Sequence, residues 1–233
     1  PTPAVAYLTR LYKADAGVVI SASHNPCEYN GIKFFNSDGY KLRDEIEDEI
    51  EDYIEGRKEI TDLPTHGAVG YVATNHDAVW DYVSFAISTI DVRLDGMKIA
   101  IDCANGASYQ TAFKALNKLG ANVEAIHNTP DGVNINDQCG STHMDSLKAY
   151  VTSIGADVGI AFDGDADRML AVDEKGNLID GDQIMAVCAL QMQKEGKLKK
   201  DTLVATVMSN LGLFLAGEKY GINIPRTKVG DRY

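Results

Sequence analysis

Three aspartates at alternate positions close a short apolar run. Val158 to Phe162 leads straight into Asp163-Gly164-Asp165-Ala166-Asp167-Arg168. If the chain stays extended there, the three carboxylates share one face. Two carboxylates about 4 Å apart repel by roughly 4 kcal/mol at an effective dielectric near 20, so gathering three calls for a cation. All-oxygen ligands suit Mg²⁺ or Ca²⁺ better than zinc. The small Gly164 and Ala166 leave room for other groups. Arg168 adds a rigid fork of donors that suits a phosphate or a carboxylate. An EF-hand would place Asp163, Asp165, Asp167 and Glu174 at ligand positions, but its sixth position needs Gly and here holds Arg168. The flanks are also β-like, with Glu174-Lys175-Gly176-Asn177 reading as a hairpin turn. A solvated acidic turn without metal is the plain alternative.

Such a loop must sit at the end of a strand, and the rest of the chain alternates strands and helices accordingly. Ala16-Gly17-Val18-Val19-Ile20 reads as a buried strand. Ser21-Ala22-Ser23-His24-Asn25-Pro26-Cys27-Glu28 follows, with Asn25 as an expected N-cap, Pro26 as the first helical residue and Glu28 in capping-box spacing. That puts Ser23 and His24 between a strand end and a helix start, where anions bind in α/β proteins. Ser23 as a mere helix cap is the competing reading. Residues 4–12 read as the tail of a helix. Residues 40–60 form an amphipathic helix through Ile46, Ile50, Tyr53 and Ile54, with an acidic outer face. Residues 61–74 form a loop or short edge strand, and 77–90 another helix.

A second unit opens near Leu94. Residues 97–102, 109–119 and 122–126 pattern as strand, helix and strand, a βαβ unit with parallel pairing. No GxGxxG follows its first strand, so a dinucleotide site is disfavoured. A polar loop spans 128–143, and a helix at 145–154 delivers the chain to the acidic loop. Beyond it, Asp182 is the expected N-cap of a helix over 183–193, with Met185 and Met192 as core residues. A strand over 202–207 and a helix over 213–220 begin a third unit.

Composition narrows the function classes. The net charge of −12 argues against a nucleic-acid or anionic-membrane surface, which needs a basic face. No apolar run approaches the roughly 20 residues of a membrane helix. Cys27, Cys103, Cys139 and Cys188 lack CxxC spacing and read as reduced thiols of a cytoplasmic protein. The chain opens on Pro1 and stops at Tyr233 after Gly-Asp-Arg, which reads as a piece of a longer protein. Nothing in the pattern specifies an oligomer.

Two motifs carry a resemblance. Ser21-Ala22-Ser23-His24-Asn25-Pro26 with Asn30-Gly31-Ile32-Lys33-Phe34 resembles the active-site serine loop of the α-D-phosphohexomutases, and Asp163 to Arg168 resembles their metal loop. Gly132-Val133-Asn134-Ile135-Asn136, Met208-Ser209-Asn210 and Val229-Gly230-Asp231-Arg232-Tyr233 are similar to the bacterial branch acting on glucosamine phosphates. The resemblance implies consecutive three-layer α/β units with mixed, largely parallel sheets, divided at 1–76, 77–178 and 179–233, the first and third truncated. It implies an isomerase-class phosphotransferase of amino-sugar metabolism that feeds cell-wall precursors. That enzyme interconverts glucosamine 6-phosphate and glucosamine 1-phosphate through a phosphoserine at Ser23 and a bisphosphate intermediate. Mg²⁺ would sit on Asp163, Asp165 and Asp167 and reach the Ser23 phosphate. His24 and Arg168 would lie at the phosphate, and Lys33 would act as acid or base on the sugar hydroxyl. His24 as an exposed loop residue and Lys33 as a surface lysine are the plain alternatives, and lysine needs a lowered pKa for proton transfer. Glucose or mannose phosphate as substrate, or a non-catalytic divalent-metal module, are the alternative functions. The isolated chain is expected to show little or no turnover, because the family's sugar-selecting loop and C-terminal domain lie beyond the matching region.

Overall fold

The computed structural model describes residues 1–230; Asp231, Arg232 and Tyr233, which close the last motif quoted above, lie outside the described residues. The centre of the molecule is a five-stranded mixed sheet. Its strands are β3 (Lys98–Asp102), β4 (Asn122–Ile126), β5 (Val158–Phe162), β6 (Met169–Asp173) and β7 (Leu178–Ile179), in the order β4-β3-β5-β6-β7. β3 runs parallel to β4 and to β5, because the connections cross over through α4 (Ser108–Lys118) and α5 (Asp145–Ile154). β5, β6 and β7 are antiparallel, because short turns join them.

Two cores explain why β3 reads as unbroken apolar sequence. Ile99, Ile101 and Cys103 pack with Ala121, Val123, Ala112 and Leu116 on the α4 side. Ala100 packs on the opposite face with Leu147 and Val151 of α5, Ala161 and Val172. Both faces are therefore covered, giving three layers. Fully burying an Ile or Leu side chain contributes roughly 1.5–3 kcal/mol.

The first unit holds α1 (Thr2–Leu11), the strands β1 (Ala16–Ser21) and β2 (Gly31–Asn36), and α2 (Asp44–Ile54). β1 and β2 pair antiparallel in full register, from Ala16 opposite Asn36 to Ser21 opposite Gly31. Here the sequence expectation fails: no helix begins at Pro26. Residues 22–30 form turns that reverse the chain into β2. The local cap signals lose to the full-register pairing of β1 with β2, and Asn25 N–H is taken by Ala22 O at 2.9 Å. α1 packs on α3 (Ala78–Ser88), with the Tyr7 and Phe85 rings stacked 4.0 Å apart and Tyr12 Oη donating to Asp81 at 2.6 Å.

The third unit contains α6 (Gly181–Lys194), β8 (Ala205–Thr206), α7 (Leu211–Tyr220) and β9 (Arg226–Thr227), with β8 parallel to β9. The strand is shorter than 202–207. Asp180, not Asp182, caps α6, in a reciprocal capping box with Gln183. Asp182 instead accepts from Asn210 N–H at 2.7 Å. Met185 is half-buried, but Met192 is exposed rather than core.

Candidate active site

The acidic loop is the tight turn of the β5–β6 hairpin. Asp163 Oδ1 accepts Arg168 N–H at 3.1 Å, and Asp163 O accepts Ala166 N–H at 3.0 Å. Ala166 adopts φ +57°. The carboxylates therefore converge through a folded turn and not through strand alternation. Strands on both sides, with no flanking helices, also dispose of the EF-hand. One oxygen each of Asp163, Asp165 and Asp167 lies within 4.8 Å of the others. Asp163 and Asp165 are buried, while Asp167 is exposed.

The serine loop, 140 residues earlier in the chain, lies against this cluster. Ser23 Oγ donates to Asp165 Oδ1 at 3.3 Å. Ser23 itself adopts φ +54°, a left-handed conformation uncommon for serine, with its N–H donating to Ser21 Oγ at 3.0 Å. Such backbone cost persists where surrounding contacts over-determine it, and it clusters at functional sites. Lys33, from β2, places Nζ 2.5 Å from Asp165 Oδ2 and 3.6 Å from Asp167 Oδ2. Thr2 Oγ1 donates to Asp165 Oδ2 at 2.7 Å, and Thr2 N–H to Asp165 O at 2.9 Å. His24 Nδ1 and Arg168 Nη1 are 3.2 Å apart at the exposed rim. All seven residues singled out from sequence thus meet in one place.

The electrostatics are uneven. Burial, reinforced by the charges of Asp165 and Asp167, pushes Asp163 up to about 6. For Asp165 burial acts in the same sense, but the Lys33 ammonium and the Thr2 hydroxyl outweigh it and hold the group below its ordinary value. Burial likewise works against the charge on Lys33, yet Asp165 and Asp167 raise its pKa. Lys33 is therefore held as a cation between two carboxylates, the opposite of the lowered pKa that proton abstraction wants. A hard divalent cation fits the donor set, and one observation favours it: Asp163 Oδ2 is buried with no hydrogen-bond partner among the described residues.

Sequence reasoning assigned no role to the 128–143 loop, yet Asn136 joins the site. Its Nδ2 donates to Ser23 O at 2.9 Å and Asn25 O at 2.8 Å. The hints were a polar, Asn-rich run and the Gly132-Val133-Asn134-Ile135-Asn136 motif that shares in the resemblance.

A serine hydroxyl beside a cluster of three aspartates, two of them buried, on consecutive α/β units defines a class of protein that comparison with known proteins identifies. Models of the phosphoglucomutase/phosphomannomutase α/β/α domains match in order: domain I over residues 1–61, domain II over 79–176 and domain III over 180–233. The chain belongs to this family. The chain is 63% identical to the phosphoglucosamine mutase of Clostridium novyi and 62% identical to that of Clostridium acetobutylicum, over all 233 residues. It spans about half of these curated relatives, 52% of each. A crystal structure of a phosphoglucomutase/phosphomannomutase family protein from Burkholderia thailandensis superposes with TM-score 0.71 at 25% identity, covering 93% of this chain and 45% of that one.

Proposed function

We propose that the protein is part of a phosphoglucosamine mutase, which converts glucosamine 6-phosphate to glucosamine 1-phosphate by way of a bisphosphate. The observation that carries this is Ser23 Oγ at 3.3 Å from Asp165 Oδ1, on the edge of the acidic pocket. The 58–63% identity to phosphoglucosamine mutases over the whole chain favours glucosamine phosphate over glucose or mannose phosphate. The division at 1–76, 77–178 and 179–233 is consistent with the matched domain boundaries. No helix among the described residues is long and apolar enough to cross a membrane. The free cysteines suit a reducing cytoplasm.

In this reading Ser23 carries the phosphoryl group. The sugar hydroxyl oxygen attacks phosphorus and gives up its proton, which ends on Ser23 Oγ as the bond from phosphorus to Ser23 Oγ breaks. The second half-reaction returns a phosphoryl group to Ser23 from the other end of the bisphosphate as that proton passes to the sugar oxygen released. A phosphoserine adds about −1.5 to −2 charge beside three carboxylates. Asp163, Asp165 and Asp167 would hold Mg²⁺, which supplies charge neutralisation at the transferring group. Arg168 and His24 sit at the rim, where they orient phosphate oxygens. Lys33, as the ammonium, offsets pocket charge and donates to a leaving oxygen. Its service as a base requires Asp165 and Asp167 to be engaged by another cation.

The test is phosphopeptide mapping and turnover of the longer natural protein. One phosphate at Ser23, its loss in Ser23→Ala, and a preference for glucosamine phosphate over glucose and mannose phosphates are expected. No phosphate at Ser23 together with metal binding unaffected by Ser23→Ala would favour a metal module instead. The isolated chain is expected to have little turnover, since positioning is most of what catalyses phosphoryl transfer.

A further inference from the structure

We infer that Asn136 is the positioning residue that clips the serine loop of the first unit onto the second. The amide Nδ2 has two hydrogens and faces two backbone carbonyls, Ser23 O at 2.9 Å and Asn25 O at 2.8 Å. Those carbonyls flank His24, so the clip spans the turn that presents Ser23 Oγ. Asn136 is itself 6% exposed and is anchored by its own N–H to Ala104 O at 2.9 Å. Its φ of +58° suits asparagine, one of the few non-glycine residues that tolerate the left-handed region. Backbone and side chain thus demand the same residue type: glycine would fit the turn but has no donor, and aspartate would fit the shape but would face two carbonyls with oxygens.

The joint around the clip leaves no slack. A Cβ on Gly164 would collide with Ser23 O and would stand 2.8 Å from Asn136 Nδ2. A Cβ on Gly106 would collide with Gly164 O, which accepts Ala107 N–H at 2.7 Å. The serine loop, the loop after β3 and the acidic loop therefore meet backbone to backbone, and the Asn136 side chain ties the backbone of the first of them down. Because Ser23 and the carboxylates come from different units, their separation depends on this joint.

The role in turnover rests on the reading of Ser23 as phosphoryl carrier; the clip itself does not. Hydrogen exchange of the 233-residue chain tests the clip. In Asn136→Asp and Asn136→Ala, amides of Ser23 and Asn25 should exchange about ten-fold faster or more, while those of β3 and β5 stay within about two-fold. In the longer natural protein, kcat should fall about ten-fold or more with KM for the sugar phosphate nearly unchanged, the mark of lost alignment rather than lost binding. Unchanged exchange at Ser23 and Asn25 in both variants overturns the clip. So does loosening spread equally through the second unit, or failure of both variants to fold, either of which makes Asn136 a general structural residue. If exchange responds but wild-type Ser23 carries no phosphate, the mutase reading fails and the clip stands.

Discussion

Asp163→Asn should stabilise the metal-free protein at neutral pH and destroy its response to Mg²⁺. Asp163 is fully buried, one of its oxygens lacks a partner among the described residues, and burial raises its pKa to about 6 from an ordinary 3.8. Folding thus makes this carboxyl hold its proton more tightly. Its contribution to stability is full below about pH 3.8 and is lost as pH rises through about 6. That gap corresponds to about 3 kcal/mol at pH 7.5, an upper figure because Asp165 and Asp167 share the charge. Asparagine keeps an oxygen for Arg168 N–H and offers its NH₂ to the neighbouring carboxylates. For a chain of this size, 1 kcal/mol moves Tm by about 2–4 °C. In EDTA at pH 7.5, Asp163→Asn should therefore melt about 4–10 °C above wild type, and the difference should close near pH 4. Millimolar Mg²⁺ should raise the wild-type Tm and leave the variant still. Thermal melts across pH 4–8, with EDTA or Mg²⁺, supply the measurement. A variant that melts at or below wild type in EDTA at pH 7.5 would refute the argument that charge crowding, relieved by a cation, governs this pocket.

Other perturbations probe the same joint. Lys33→Met removes the ammonium that offsets Asp165 and should destabilise the metal-free chain by about 1–3 kcal/mol; Mg²⁺ should recover most of the loss in a thermal melt. Gly164→Ala forces a Cβ into Ser23 O and should cost about 1–3 kcal/mol in urea unfolding. A cost near zero would mean that the serine loop does not sit tightly on the acidic loop. Leu147→Ala, in the core beneath the sheet, should cost about 2–5 kcal/mol and leave Mg²⁺ affinity intact, separating stability from site chemistry.

Much of this protein can be read from its order of residues. The alternation of β-branched runs with 3.6-residue stripes dictates α/β units, because only those periods bury one face of a strand or a helix. Asp163, Asp165 and Asp167 mark a cluster that could hold a cation, since like charges at that density favour one. Three things had to wait for the folded chain. The cap-like Asn25-Pro26 signal gave way to the β1–β2 hairpin, because a six-residue ladder in full register outweighs a local cap. Lys33 turned out to be an ammonium stabilised by Asp165, since a pKa depends on neighbours that are 132 residues away in sequence. The role of Asn136 arises only where three loops touch: a hydrogen bond between residues 113 apart leaves no local pattern, so only the meeting of those loops in space reveals it.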